Sequence, residues 1–214
     1  MIGPAEIFTI FFVTLGPLKI LGPFAHRTRE LDDATMRKVA VWAFAVATVA
    51  VVAGSFFGRA IAAKWHVSIG SLLIAAGIIF LLVALKQLLE QYEPPHASET
   101  PPPPLPQSPF AAAIRLLFPI VLTPYGIAAA IVLLSASGET TRTELIIALL
   151  VAVMTINLLA MLLARKILVG FTMIVLQVLG AVLGILQAGL AIEFIVRGLQ
   201  QLRLVPACEC ATDR

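Results

Sequence analysis

The first long apolar run of the sequence contains the stretch Val13-Thr14-Leu15-Gly16-Pro17-Leu18-Lys19-Ile20-Leu21-Gly22-Pro23-Phe24. Two Gly-Pro pairs and a lysine stand where an ordinary membrane helix would continue. Each proline removes a backbone donor and clashes with the carbonyl four residues before it, so a straight helix is not expected here. Backbone polar groups freed at membrane depth are tolerated only against protein or a water-filled cavity. The stretch therefore predicts a broken helix that lines a cavity.

A second interruption occupies the matching place in the second half of the chain. It reads Phe118-Pro119-Ile120-Val121-Leu122-Thr123-Pro124-Tyr125-Gly126. Broken helices at corresponding positions of two halves are the best sequence pointer to the binding site of a transporter. The two interruptions together therefore indicate a transport protein.

The composition excludes a soluble domain. Charged residues make up 13% of the 214 residues and hydrophobic residues 60%, with a mean hydropathy of +1.00. Soluble globular proteins carry about 25% charged residues. The net charge of +3 is small and lies in short connections, so it informs membrane topology rather than nucleic-acid binding. We expect the lipid bilayer as a partner and no nucleic acid.

Six apolar spans can be read along the chain, each near the roughly 20 residues that cross a bilayer. They cover about residues 7–24, 39–58, 67–85, 116–134, 145–164 and 181–199. The apolar stretch 167–176 precedes the sixth span, and we expect it to be interfacial or re-entrant.

The spans divide the chain into two halves. Residues 1–89 form the first three-helix membrane repeat and residues 110–202 the second. Residues 90–109 form a proline-rich linker, expected to be extended or disordered, and residues 203–214 a polar tail. Because three spans per half is an odd number, homologous halves would lie in the membrane with opposite orientations. The predicted fold is an all-α integral membrane protein with two inverted three-helix repeats, whose first and fourth helices are broken.

The distribution of Lys and Arg predicts the orientation. Eight such residues flank the spans on the side of the linker, and six lie on the opposite side. Positive charge concentrates in cytoplasmic loops. We therefore expect a cytoplasmic linker with both termini outside.

Among the ionisable residues within the predicted spans, Lys19 and Glu193 are the two candidates. Such groups cost about 2.5 to 3.5 kcal/mol at the centre of a membrane helix and are functional candidates by default. Lys19 can alternatively extend toward the headgroups, and Glu193 can pair with Arg197 one turn later. The sharper hypothesis is that Lys19 and Glu193 form a charge pair across a central cavity.

Uncharged polar residues in the later spans are further candidates. Thr155 and Asn157 lie in the fifth span, with Gln177 and Gln187 near the sixth, and most such groups hydrogen-bond a neighbouring helix. The sequence contains no nucleophile–base pair, metal cluster or phosphate loop, so we expect no enzyme activity, no cofactor and no metal site. The Cys-x-Cys of Cys208 and Cys210 lacks further ligands and is expected to be a solvated tail.

With these motifs in place, the chain resembles the MarC family of six-span bacterial inner-membrane proteins, some of whose members are described as neutral amino acid transporters. The family pattern Asn-Pro, with a Phe seven residues later, becomes Gly16-Pro17 and Phe24. Its Pro-x-x-x-Gly-Pro-Gly becomes Pro119 followed by Thr123-Pro124-Tyr125. A Gly-Gly pair matches Ala76-Gly77, and a Val-Gln-Phe-Ile type sequence matches Ile192-Glu193-Phe194-Ile195. The similarity covers about residues 5–90 and 110–202.

This chain departs from the family pattern at Gly16, Thr123, Tyr125, Glu193 and Ala181, where the family tends to have Asn, Gly, Gly, Gln and Arg. The resemblance implies a bacterial inner-membrane transporter or exporter of small neutral amino-acid-like solutes. The alternative is a non-transporting structural or regulatory membrane protein on the same scaffold. A coupling ion and a homo-oligomer are both compatible with this architecture. The candidate substrate-binding residues are Thr14, Gly16, Pro17, Lys19, Thr123, Pro124, Tyr125, Gly126, Asn157 and Glu193.

Overall fold

The computed structural model describes residues 3–90, 105–106, 108–117, 121–170 and 173–206, and within these ranges it contains helices and no strand. The all-α prediction is thereby confirmed for the described part of the chain. The helices are α1 (Pro4–Leu15), α2 (Pro17–Arg27), α3 (Asp33–Lys64), α4 (Ile69–Glu90), α5 (Pro109–Leu116), α6 (Pro124–Ser135), α7 (Thr140–Gly170) and α8 (Met173–Gln201).

Five segments of the described chain are long and apolar enough to cross a membrane. They are residues 4–27, 33–64, 69–89, 140–167 and 178–201, and a shorter apolar helix covers residues 124–135. The shorter helix, α6, lies in the predicted fourth span. The predicted interfacial or re-entrant stretch 167–176 is not a separate element, because its described residues continue the end of α7 and begin α8.

The first helix break lies at a single residue, Gly16. α1 ends at Leu15, and α2 begins at Pro17 after Gly16 takes extended angles of φ −67° and ψ 162°. A Cβ at Gly16 would overlap the carbonyl oxygen of Phe12, so this backbone path requires glycine. The second Gly-Pro pair does not break the chain, because Pro23 lies inside α2. The break is therefore narrower than the sequence suggested.

The second break also ends at a proline. α6 begins at Pro124 after Thr123, which has extended angles of φ −98° and ψ 137°. Pro17 and Pro124 both take the first position of a helix, where the missing N–H would have no intrahelical partner in any case. The preceding part of this interruption, residues 118–120, lies outside the described residues. Proline thus restarts a helix in each half of the chain.

The largest helix contact joins α4 and α8, which run antiparallel. A Cβ at Gly70 would lie 2.9 Å from the carbonyl oxygen of Gly198, and a Cβ at Gly198 would lie 2.7 Å from that of Gly70. Gly77 faces Ala191 in the same way, at 2.7 Å. Small residues let membrane helices approach until their backbones touch. Glycine therefore allows the backbones of α4 and α8 to come into contact.

The short helix next to the break in each half packs against a long helix of the other half. α2 packs against α7, and α6 packs against α3. Arg165 of α7 donates to the carbonyl oxygens of Thr28 and Leu31 just after α2, and Arg59 of α3 donates to that of Ser137 just after α6, at 3.4 Å. Cationic side chains are favourable at helix C-termini. Each half thus supplies an arginine that caps a helix of the other.

The helix ends collect at two ends of the bundle. The N-terminal end contains the starts of α1, α4 and α7 and the ends of α6 and α8. One cavity at this end is lined by a residue from or next to each of them: Glu6, Ile69, Arg142, Ala136 and Gln201. The linker end contains the turn after α2, where Arg165 and Asp33 form an ion pair, together with Leu88 against Gly184. The helix breaks lie between these two ends.

We predict that Gly198→Ala lowers the thermal stability of the purified protein in detergent. The added Cβ would meet the backbone of Gly70, and overpacking of this kind costs about 1 to 3 kcal/mol. Gly189→Ala is the matched control on the same helix, because nothing lies within 4 Å of its Cβ position. The melting temperature of the control should equal or exceed that of the wild type, since Ala stabilises a helix by about 0.5 to 1 kcal/mol relative to Gly. Equal melting temperatures for the two variants would contradict the close contact.

Candidate functional site

The two helix breaks touch each other inside the bundle. The Thr123 hydroxyl donates to the carbonyl oxygen of Thr14 at 3.3 Å. A Cβ on Gly126 would overlap the side chain of Leu15. Thr14, Gly126 and Thr123 were all predicted as site residues, and the structure brings them together with Gly16, Pro17 and Pro124 around the two breaks.

The Lys19 amine points into the protein between α6 and α8. It donates to the Gln187 side-chain oxygen and to the Tyr125 hydroxyl at 3.4 Å. It also lies 4.8 Å from the centroid of the Tyr125 ring, which adds a cation–π attraction. Gln187 is fully buried, and its amide donates to the carbonyl oxygen of Phe80 at 3.4 Å. The alternative in which Lys19 extends toward the headgroups is wrong for this conformation.

Asn157 of α7 binds the first break from the other side. It is fully buried, and its side-chain nitrogen donates to the carbonyl oxygen of Leu15, the last residue of α1, at 2.5 Å. Its side-chain oxygen has no hydrogen-bond partner among the described residues. Thr14, one residue before Leu15, is also fully buried and donates to the Ile10 carbonyl at 2.7 Å. Asn157 therefore belongs to the same cluster as the breaks.

Glu193 does not pair with Lys19, and that hypothesis is wrong. The Glu193 carboxylate accepts from Arg197 at 2.6 Å, one turn along α8, and Arg197 also lies 3.7 Å from Glu6 of α1. Gln187 and Glu193 are six residues apart, so their side chains point about 120° apart around the helix axis. Gln187 faces the breaks, whereas Glu193 is half-exposed toward the N-terminal end. Gln187 is the partner of Lys19 that the sequence hypothesis missed.

Three of the cavities between the described helices bear on access to this cluster. The vestibule, about 600 Å³, opens at the N-terminal end and is lined by Glu6, Ile69, Leu73, Val132, Ala136, Arg142, Arg197, Gln200 and Gln201. The groove, about 260 Å³, runs between α1 and α8 and is lined by Ala5, Glu6, Thr9, Ile10, Leu190, Glu193, Phe194 and Arg197. The cleft, about 360 Å³, lies toward the linker end and is lined by Ile79, Val83, Lys86, Gln87, Thr123, Pro124 and Tyr125. The cleft reaches the second break directly.

Three aromatic side chains lie between the groove and the cleft. Tyr125 lines the cleft, Phe194 lines the groove, and Phe80 is fully buried between them. The Phe80 centroid lies 6.1 Å from that of Tyr125, edge to face, and 5.4 Å from that of Phe194. We call these three residues the aromatic barrier, because they separate the two cavities. Phe80 carried no sequence signal beyond its position in an apolar span.

The electrostatics of the cluster follow from the helix breaks. The positive N-terminal ends of α2 and α6 and the amine of Lys19 meet there with the negative C-terminal end of α1. Among the residues that the structure describes, no group of three or more His, Cys, Asp or Glu side chains is placed to hold a metal ion. The arrangement offers donors for an anionic group and oxygen acceptors for a cationic one.

A comparison with protein-family models matches residues 5–203 to the MarC family integral membrane protein model. The chain belongs to the MarC family. This confirms the resemblance drawn from the two breaks and the membrane location drawn from the composition. No curated protein and no solved structure was found to match the chain. In this MarC protein, the ring and the hydroxyl of Tyr125 both contact Lys19.

We predict energetic coupling between Lys19 and Gln187 and none between Lys19 and Glu193. Residues in contact show interaction energies of about 0.5 to 3 kcal/mol in double-mutant cycles, whereas distant residues add. The cycles use Lys19→Met with Gln187→Leu and Lys19→Met with Glu193→Gln, read as thermal stability in detergent. Coupling in the second cycle but not in the first would restore the Lys19–Glu193 pair and contradict the structure.

Proposed function

We propose that this MarC protein is a secondary transporter or exporter of small neutral amino-acid-like solutes, and that the solute binds where the two helix breaks meet. One observation carries the proposal. Cavities that approach from opposite ends of the bundle stop at the same aromatic barrier, and the buried polar cluster lies beside it. A transporter needs a central site with access from one side at a time, and this arrangement fits that requirement.

The chemistry of the cluster supports a solute that carries a carboxylate. Lys19 offers a cationic amine, and the N-terminal end of α6 adds the backbone N–H of Tyr125 and a positive dipole. Both carboxylates of the groove, Glu6 and Glu193, already contact Arg197. A solute carboxylate would take one of the contacts that Lys19 makes with Gln187 and Tyr125. Asn157, with a free oxygen, offers an acceptor for a neutral or cationic group.

We further propose that the two halves are inverted repeats of three spans each, with α5 and α6 as parts of the fourth span. Three correspondences support this. Pro17 and Pro124 restart a helix in each half, α2 lies on α7 as α6 lies on α3, and Arg165 and Arg59 cap the partner half. The antiparallel contact of α4 with α8 is the one expected when the halves point in opposite directions. Movement of one repeat against the other would then exchange access between the two ends.

The second candidate function is a non-transporting structural or regulatory membrane protein. One observation favours it. Lys19 already has two partners, Gln187 and Tyr125, and Phe80 fills the space between the cavities. An amine that already has two partners needs no solute carboxylate to be stable.

A transport assay with purified protein in liposomes tests the proposal. We predict that the wild type accumulates at least one labelled neutral amino acid faster than protein-free liposomes. Lys19→Gln should lower the initial rate at least about tenfold, which corresponds to about 1.4 kcal/mol of lost interaction. Lys64→Gln, at the exposed end of α3, is the matched control and should keep the wild-type rate. No uptake or exchange across the full panel of neutral amino acids would favour the non-transporting function.

The orientation in the bacterial inner membrane has its own test. We predict that residues 90–109 face the cytoplasm, as the distribution of Lys and Arg indicates. Cys208 and Cys210 are first replaced by serine, and single cysteines are then placed within residues 90–109 and at Glu6. In intact cells, a membrane-impermeant thiol reagent should label the cysteine at position 6 and not those in the linker. The reverse pattern would invert the topology.

A further inference from the structure

The unpartnered oxygen of Asn157 is the starting point. The residue is fully buried in the middle of α7, and its nitrogen is fixed on the Leu15 carbonyl, since two facing carbonyl oxygens would repel. This leaves the side-chain oxygen with no hydrogen-bond donor among the described residues. Buried polar groups almost always have a partner. An acceptor left open at this depth indicates a ligand that brings positive charge or a donor.

The end of α1 adds more oxygen atoms at the same place. Pro17 has no N–H, so the Val13 carbonyl has lost the donor that a continuous helix would provide four residues later. The carbonyl of Thr14 accepts from Thr123 and that of Leu15 from Asn157, and a carbonyl oxygen has two lone pairs. The C-terminal end of a helix also carries partial negative charge. Oxygen acceptors are therefore concentrated at this end of α1.

These oxygen atoms belong to neutral groups. The residues concerned are an asparagine and two threonines, together with the peptide carbonyls at the end of α1. Divalent cations usually require carboxylates, whereas unwound carbonyls and half-helix C-termini bind Na⁺ in broken-helix transporters. The full burial of Asn157 and Thr14 fits a small dehydrated ion rather than a bulky one.

We propose that the side-chain oxygen of Asn157, the carbonyls at the end of α1 and the hydroxyls of Thr14 and Thr123 form a binding site for a monovalent cation, with Na⁺ as the ion. The site deepens the proposed function, because a cation bound at the break would be the coupling ion. The amine of Lys19 is held by Gln187 and by Tyr125, which is two residues after Thr123. Its positive charge weakens cation binding, so its removal should strengthen it.

The binding test uses thermal stability of the full-length protein in detergent and needs no transport. NaCl is titrated against choline chloride at constant ionic strength, with KCl as a third series. The melting temperature of the wild type should rise by several degrees in NaCl and reach a plateau, because a ligand that binds only the folded state stabilises it by mass action. An equal melting temperature in NaCl and choline chloride would overturn the site.

Variants assign the effect to the asparagine. Asn157→Leu should remove the response to Na⁺, whereas Thr155→Val, an exposed neighbour on the same helix, should keep it. Asn157→Asp adds a charged oxygen and should lower the Na⁺ concentration at half-effect at least tenfold. The Asn157→Asp variant also keeps the site testable if Asn157→Leu does not fold. Lys19→Gln should lower the half-effect concentration severalfold. Wild-type Na⁺ responses in both Asn157 variants would overturn the assignment.

A solute ammonium group is the other source of positive charge, and a separate series distinguishes it. Glycine and alanine are titrated in choline chloride without Na⁺. Stabilisation by the amino acid alone, removed by Asn157→Leu and absent with NaCl, would show that the acceptor holds the solute and would overturn the cation site. A Na⁺ response without any transport in liposomes would keep the site and remove the transport proposal. Transport without a Na⁺ response would keep the transport proposal and overturn the cation site.

Discussion

A backbone that loses hydrogen-bond donors inside a membrane protein has to find partners elsewhere, and Pro17 and Pro124 impose this requirement at two places. The rest of the site responds to it. At the end of α1, where Gly16 leaves the helix, Asn157 of α7 binds the carbonyl of Leu15, and the hydroxyl of Thr123 binds that of Thr14. Because these partners come from other helices, the breaks can form only when α1, α6 and α7 are packed together. The hydrogen bonds of the polar cluster therefore stabilise the fold, in addition to forming a candidate binding site.

The packing of these helices also places the charged amine of Lys19 inside the bundle. Burial of an amine at membrane depth is costly unless polar groups surround it. Here the oxygen of Gln187 and the ring and hydroxyl of Tyr125 provide that surrounding. Tyr125 has a second role, because its ring also contacts Phe80 in the aromatic barrier. Tyr125 thus connects the Lys19 amine with the aromatic barrier between the groove and the cleft.

The sequence predicted the helix breaks well, because proline chemistry is local. Pro17 and Pro124 restart helices as expected, and the family resemblance built on them was confirmed. It predicted the partner of Lys19 badly. Glu193 had the right charge, but the rotation of α8 turns Gln187 inward and leaves Glu193 with Arg197. That rotation depends on which residues pack between helices, which a single sequence does not contain.

The reciprocal arginines have a consequence for how the two halves depend on each other. The carbonyls after α2 are bound by Arg165 of the second half, and the one after α6 by Arg59 of the first. Each half therefore supplies part of the C-terminal cap of the other half's short helix. The exchange resembles a domain-swapped dimer enclosed within one chain. A connection such as residues 90–109 then mainly keeps the two halves at a high effective concentration, while the arginines and glycines determine how they fit.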